Sequence, residues 1–499
     1  MKTTKILYQL IHSLSKGEKR NFKLFYSKYK RTADSNSIKL FDVINSLSTY
    51  DQEKIQYFFT NNNIKSNLSY EKHKLQQMIL DFLANQIKID DPIYELNTLY
   101  NQILILINKQ QWSLAIKLLE QGIKIAEKNH VSLHLYSFYR MRLSLMVWEE
   151  QYNAKTKDFL INKIDINRQD INAYTACFLL YTKITHLTWF DMPSTLHHEG
   201  KFTWLEESPY FQNENKVNSF DARLYLYDTK ATYYEIKKDV EKATLYQKKI
   251  LDLFEEYPHF IINQLLTFVG YHINYVRALL FANQVSQAAQ HLEKIKEEIY
   301  PKYKKNFTKE ISAMYQYYQE IMTLDILQAQ HNYEAIYKST FKNELGGNET
   351  RRVETLTFSI ISCFALSKYQ EGIDTLQILE ESSTIDNHKE EYFGAKIYGF
   401  LCHYELHNQQ LLTSFKDGIY YYSRKHKLNT SYHKIILKIL RRLIKPINIE
   451  HLKVFLEKIK EEFIQTNYKI QWGGDLLLLW IESKIQQKPL EEILKKAKN

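Results

Sequence analysis

Glycine and proline are scarce. The chain has 12 Gly and 7 Pro in 499 residues, whereas ordinary usage of roughly 7% and 5% would supply about 35 and 25. Collagenous and low-complexity architectures are excluded on that ground. A glycine-rich nucleotide-binding fold is disfavoured, because its turns need glycine where helix pairs need little. Cysteine is scarcer still. Cys177, Cys363 and Cys402 are odd in number and widely spaced, and no C-x-x-C occurs, so neither a disulfide framework nor a zinc ribbon is indicated. Long apolar runs are missing as well. Leu476 to Ile481 is far too short to span a bilayer, and Gln9 and His12 interrupt the N-terminal apolar stretch where a signal peptide would need continuity. A cytoplasmic location is the expectation.

What is present is an ordinary globular balance, 44% hydrophobic and 25% charged, which can bury a core. The 38 Tyr and 26 Phe are spread along the whole chain and read as inter-helix packing residues. The net charge of +10 is uneven: residues 1 to 50 hold ten Lys or Arg and three Asp or Glu, a net +7.

Residues 1 to 90 have the pattern of a small basic helical domain. Ser15-Lys16-Gly17-Glu18 has the form of a capping box and opens a helix running to about Tyr29. Phe22, Phe25, Tyr26 and Tyr29 form one apolar stripe. Lys16, Lys19, Arg20, Lys23, Lys30 and Arg31 occupy an adjoining arc, a candidate nucleic-acid contact that would neutralise phosphates and weaken with salt. A solvated helix face explains the same lysines. Further helices are expected at Ile38 to Leu47, Asp51 to Phe59 and Ser69 to Gln86, the last two in a helix–turn–helix outline across a polar stretch beginning at Thr60.

From about Ile93 the pattern becomes one of helix pairs: a short turn, an aromatic residue, then three positions on a small residue that lets two helices approach. Trp112 with Ala115, Val240 with Ala243, Val285 with Ala288, Tyr333 with Ile336 (a fit one residue early, the small residue being Ala335), Tyr369 with Gly372 and a weaker copy with Ser414 carry it. The last five of these positions lie 45, 48, 36 and 42 residues apart. This resembles a tetratricopeptide-type (TPR-like) solenoid with lengthened, degenerate units. HEAT-like pairs share the spacing. The fold class expected is all-α, a TPR-like helical-repeat solenoid over residues 93–425 preceded by the small helical N-terminal domain. An insertion at 189–218 and capping helices over 426–499 complete it. The layout is similar to that of uncharacterised bacterial TPR-like proteins.

No P-loop, GxGxxG, HExxH or GxSxG occurs. The chain reads as a binding protein and not an enzyme, with no cofactor and no metal expected. His403 and His407 stand at i and i+4, and His197-His198-Glu199 falls in the insertion. Neither group supplies a full ligand set by itself. The aromatics Trp189, Phe190, Trp204, Tyr210 and Phe211 of the insertion read as packing residues. The resemblance implies a concave groove lined by the first helix of each pair. In that register Tyr100, Asn108, Tyr225, Asp228, Arg277, Tyr318, Asp325 and His403 face it, a lining suited to a peptide segment. The leading function is a protein- or peptide-binding scaffold or adaptor. The alternative is a transcription regulator with an N-terminal DNA-binding helical domain and a TPR-like sensor.

Overall fold

The computed structural model describes residues 3–29, 36–61, 67–86, 92–146, 153–190, 202–342, 349–382, 385–445, 448–466 and 472–498. Among them every regular element is helical. No described helix is long and apolar enough to cross a membrane. The chain divides into two compact units, Met1–Asn97 and Thr98–Asn499.

The first unit holds α1 (Thr3–Ser13), α2 (Lys16–Tyr29), α3 (Asn36–Ser46), α4 (Gln52–Asn61) and α5 (Leu68–Gln86). The capping box forms reciprocally: Ser15 N–H donates to Glu18 at 2.7 Å and Glu18 N–H donates to Ser15 Oγ at 3.2 Å. Of the aromatic stripe, Phe22 is fully buried beside Phe41 and Phe82, while Phe25 and Tyr26 are partly buried against the same core. The Tyr26 hydroxyl donates to the Met78 carbonyl at 2.9 Å, tying α2 to α5.

Helix α6 (Pro92–Asn108) leads into the second unit, which continues with α7 (Trp112–Lys128), α8 (Ser132–Leu145) and α9 (Ala154–Phe190). After α10 (Thr203–Glu206) and α11 (Pro209–Gln212) come α12 (Phe220–Ile236), α13 (Val240–Glu256), α14 (His259–Asn263), α15 (Leu265–Phe281), α16 (Val285–Lys294) and α17 (Tyr300–Tyr303). There follow α18 (Lys309–Ala329), α19 (Tyr333–Lys342), α20 (Glu349–Ala365), α21 (Tyr369–Glu380), α22 (Lys389–Glu405) and α23 (Gln409–Lys425). The chain closes with α24 (Ser431–Leu443), α25 (Ile449–Ile464), α26 (Gly474–Gln486) and α27 (Leu490–Lys498). Packing is between near neighbours in the chain: α12 on α13, α13 on α15, α15 on α16 and α18, α18 on α19 and α20, α20 on α21 and α22.

The scarcity of glycine has a structural counterpart in the turns. Lys238, Asn283, His331, Ser367 and His407 all take left-handed backbone conformations, with φ of 62°, 59°, 52°, 60° and 57°. The N–H after each one reaches back five residues to a helix carbonyl, from Asp239 to Tyr234 at 2.9 Å through Asn408 to His403 at 3.0 Å. This is the Schellman arrangement, in which glycine normally occupies the left-handed position. Five residues beyond each left-handed residue, Ala243, Ala288, Ile336, Gly372 and Leu412 are all buried. A Cβ on Gly372 would stand 3.1 Å from Cys402 Sγ and 3.4 Å from Cys363 Cβ, so the small residue there permits contact among α20, α21 and α22.

Two expectations are corrected. Ser414 is exposed, and Leu412, at 0% exposure, holds the equivalent position of that helix pair because the turn closes at His407. The C-terminal helices also do more than cover an end. Residues 472–484 lie along α22: Tyr398 Oη donates to the Gly473 carbonyl, Trp480 Nε1 donates to Glu405 at 2.7 Å, and Lys484 Nζ donates to the same carboxylate at 2.9 Å.

In the insertion, Trp189 and Phe190 end α9, and residues 191–201, including His197-His198-Glu199, lie outside the described residues. The remainder packs down. Phe202, Leu205, Phe211 and Val217 are buried against α9 and α12, with Trp204 and Tyr210 partly buried beside them.

Candidate acidic groove

Two adjoining cavities run along the second unit and share Arg277 and Phe281. The larger, about 730 Å³, is walled by α12, α13 and α15 and closed on one side by Ile464 and Thr466 from the end of α25. The smaller, about 370 Å³, is walled by α15, α18, α20 and α22 with Trp472 and Asp475 from the C-terminal segment. Trp472 is held by an edge contact to Phe358, ring centroids 4.8 Å apart.

Carboxylates recur along the lining. Asp228 and Glu235 stand seven residues apart on α12, hence on one face. Asp325 comes from α18, Glu354 from α20, Glu391 from α22 and Asp475 from α26. Against these six carboxylates stand two cations, Lys238 and Arg277. Solvent reaches the groove, yet protein surrounds each carboxylate on most sides, so burial disfavours the charged form. That burial pushes Asp228 up to about 6 despite a 2.8 Å hydrogen bond from Tyr271 Oη. It pushes Asp325 up to about 6, with the Arg277 guanidinium opposing, and Glu354 up to about 7 even though Tyr317 Oη donates to it. Glu235 and Glu391 are raised by the same cause.

Buried acceptors without donors add to this. Gln247, 8% exposed, lines the larger cavity, and its Oε1 has no hydrogen-bond partner among the described residues. Gln328 Oε1 in the smaller cavity is in the same state. Glu354, His388 and Glu391 bring one donor atom each to within 4.8 Å of one another, the one such trio among the described residues. Their chemistry would suit a divalent cation.

The sequence-predicted groove residues divide. Asp228, Arg277 and Asp325 line these two cavities. Tyr225 lines a separate cavity of about 570 Å³ together with Tyr181, Asp221 and Tyr271. Tyr100 packs near Phe138, Asn108 is exposed at the end of α6, and Tyr318 is partly buried against the core beside Tyr317. His403 is not a surface residue of the groove. It is 6% exposed, 3.2 Å from the Asn408 amide and 5.0 Å from the Phe415 ring, which places it between α22 and α23. His407 sits in the turn itself. Glu235, Gln247, Glu354, Glu391 and Asp475 were not anticipated. A carboxylate recurring on helix after helix is the pattern that would have indicated them.

All three cysteines are buried, and burial pushes the thiols of Cys177 and Cys363 up to about 12. In the first unit Lys16, Arg20 and Lys23 are exposed and Lys19 is half-buried. Lys23 is paired with Asp42, and Lys30 and Arg31 lie outside the described residues.

Compared with known proteins, the chain matches no family model, no curated sequence and no solved structure. The groove therefore has to be interpreted from its own residues.

Proposed function

We propose that the second unit is a TPR-like helical-repeat solenoid and that the protein is a scaffold or adaptor binding a protein or peptide segment in its groove. One observation carries this reading: α12, α15 and α18, each the first helix of a pair, contribute Asp228, Arg277 and Asp325 to adjoining cavities. Successive repeats that present the same face build such extended concave surfaces. The recurrence of a left-handed turn residue with a buried side chain five positions later supports the repeat assignment. Phe281 and Trp472 beside polar groups in the smaller cavity suit a chain of alternating side chains.

The test uses the full chain in its native host with a photo-crosslinking amino acid at Phe281 and, as a control, at exposed Val454 on α25. A discrete partner segment crosslinked from Phe281 and absent from Val454 is the expected result. Labelling that does not distinguish the two positions sinks the groove as the working surface. Recovery of DNA through α2 with no groove crosslink would move the function to the basic helix.

A further inference from the structure

The groove is acidic in a chain that is basic overall. The whole chain carries +10, yet six carboxylates against two cations line these two cavities. Carboxylates elsewhere in the second unit are commonly neutralised. Glu214 receives Lys230 at 2.7 Å and Lys249 at 2.9 Å, Glu405 receives Lys484, and Glu462 receives Lys438 at 2.9 Å. Asp228, Glu235, Asp325, Glu354 and Glu391 have no lysine or arginine within ion-pair distance among the described residues, although Arg277 lies in their midst and His388 Nδ1 stands 3.9 Å from Glu391. Desolvated carboxylates without a counter-charge cost stability. Their persistence on four separate helices, α12, α18, α20 and α22, is the pattern expected of a site completed by something else.

The hydrogen-bonding character of the lining agrees. Gln247 is 8% exposed and its Oε1 lacks a donor, as does Gln328 Oε1 in the adjoining cavity. Carboxylates and amide oxygens are acceptors, and among the described residues the side-chain donors that reach these carboxylates are Tyr271 Oη on Asp228 and Tyr317 Oη on Glu354. Lysine and arginine side chains are donors only. An occupant rich in them supplies both the missing charge and the missing hydrogen bonds. An acidic or phosphorylated occupant would supply neither.

We infer that the groove binds a lysine- or arginine-bearing segment of a partner protein. This rests on the groove being the working surface and specifies the chemistry of what enters it. Arg277 then sets register, since it repels a cation placed beside it and leaves the positions near Asp228–Glu235 and Asp325–Glu354 as the two attractive ends.

The test is fluorescence anisotropy of the full chain with short fluorescein-labelled peptides carrying lysine, arginine or glutamate in one alanine–serine background, at low and physiological salt. Lysine and arginine peptides should bind and the glutamate peptide should not. The double variant Asp325→Asn with Glu354→Gln, which keeps side-chain shape, should weaken binding roughly tenfold or more. Arg277→Glu should tighten binding, and Glu462→Gln on α25, outside the groove, should leave it unchanged. Equal or tighter binding of the glutamate peptide, no response to the double variant, or no binding of any cationic peptide overturns the inference. The Phe281 crosslink separates the two levels. A mapped partner segment that is neutral or acidic sinks the cationic assignment while leaving the groove in use, whereas no mapped segment sinks the groove itself.

Discussion

His272 Nδ1 and His291 Nε2 are 3.0 Å apart, so that one ring donates to the other across the α15–α16 pair. The rings stack at 5.2 Å, with Phe268 edge-on to His272 and Tyr275 edge-on to His291. The hydrogen bond needs only the accepting nitrogen to be unprotonated, a condition that a pair of neutral rings satisfies. Burial enforces this, pushing His272 down to about 3 and His291 down to about 4, with Lys248 and Lys294 adding to the effect.

The sign of the resulting pH dependence follows. Both histidines titrate near 6.5 when unfolded, so the unfolded chain gains protons first as pH falls. The stability they contribute is fully present above about pH 6.5 and is lost progressively toward pH 4, by about 1.4 kcal/mol per unit for each ring. The groove carboxylates act in the opposite direction. Asp228, Asp325 and Glu354, raised to about 6, 6 and 7, destabilise the fold at neutral pH and do so less as they protonate. Urea denaturation of the wild type and of His272→Gln with His291→Gln, at pH 7 and pH 5, isolates the pair. The stability difference between the two proteins should shrink on going to pH 5, and a difference independent of pH rejects a neutral pair.

Glu214 is the centre of a buried ion cluster. Lys230, its side chain 6% exposed, donates to it at 2.7 Å while lying 5.0 Å over both the Phe211 and Tyr246 rings. These contacts hold Glu214 down to about 2 against the opposing effect of burial. Replacing Glu214 by Gln strands a buried ammonium and should cost about 3 kcal/mol in urea denaturation. Combining it with Lys230→Met should recover much of that loss, because both charges are then gone. A double variant no better than the single one would show that the packing of α11 against α12, and not the charge, is what matters.

Lys427 joins α23 to α24 with φ of 56° and is exposed. A left-handed conformation costs a residue with a Cβ about 1–2 kcal/mol, part of which glycine gives back through its freer unfolded chain. Lys427→Gly should therefore raise stability by about 0.5 kcal/mol or more, read as a higher urea midpoint. Lys427→Ala should not raise it, and equal effects of the two would remove backbone strain as the cause.

Gly473 has φ of 72°, and a Cβ there would fall 2.4 Å from the Tyr398 ring. Gly473→Ala should detach the segment that walls the groove without touching the helices beneath it. Hydrogen exchange over residues 472–486 should accelerate while α12–α16 keep their protection. Protection unchanged in that segment would mean that Trp480 and Glu405 alone hold it.

Much of this architecture is legible in the residues. Helix spans in the first unit are marked by the Ser15–Glu18 capping box and by apolar periodicity. The buried positions Ala115, Ala243, Ala288, Ile336 and Gly372 are marked by the turn that precedes them. The misreading at Ser414 has a physical origin: neither Gln409 nor Gln410 announces the turn as Tyr333 and Tyr369 do, and Leu412 is too large to be recognised as a close-approach residue. His403 looks like a groove residue by helix register, but a helix of which eleven residues are buried has little face left to expose. The acidic character of the site was hidden for another reason. Apart from Asp228 and Glu235 on α12, its carboxylates lie on separate helices, and a net basic composition masks them. Gln247 could not be found at all from sequence, since an amide without a partner is a property of its surroundings.

The contact between Trp480 and Glu405 joins residues separated by 75 positions, and the Tyr398–Gly473 contact spans the same interval. Those partners leave the ribosome at different times. Helices α12 to α22 can pair with their neighbours as they emerge, because domains build from the N-terminal side during synthesis. The Trp472 wall can be added only after α12 to α25 have been made. Until then the carboxylates of α20 and α22 face an open trough, and cationic chains abundant around a translating ribosome have unhindered access to them. Closure of the smaller cavity thus follows the helices beneath it, and a chain cut short before Trp472 would keep α12 to α25 but lack the Trp472 and Asp475 wall.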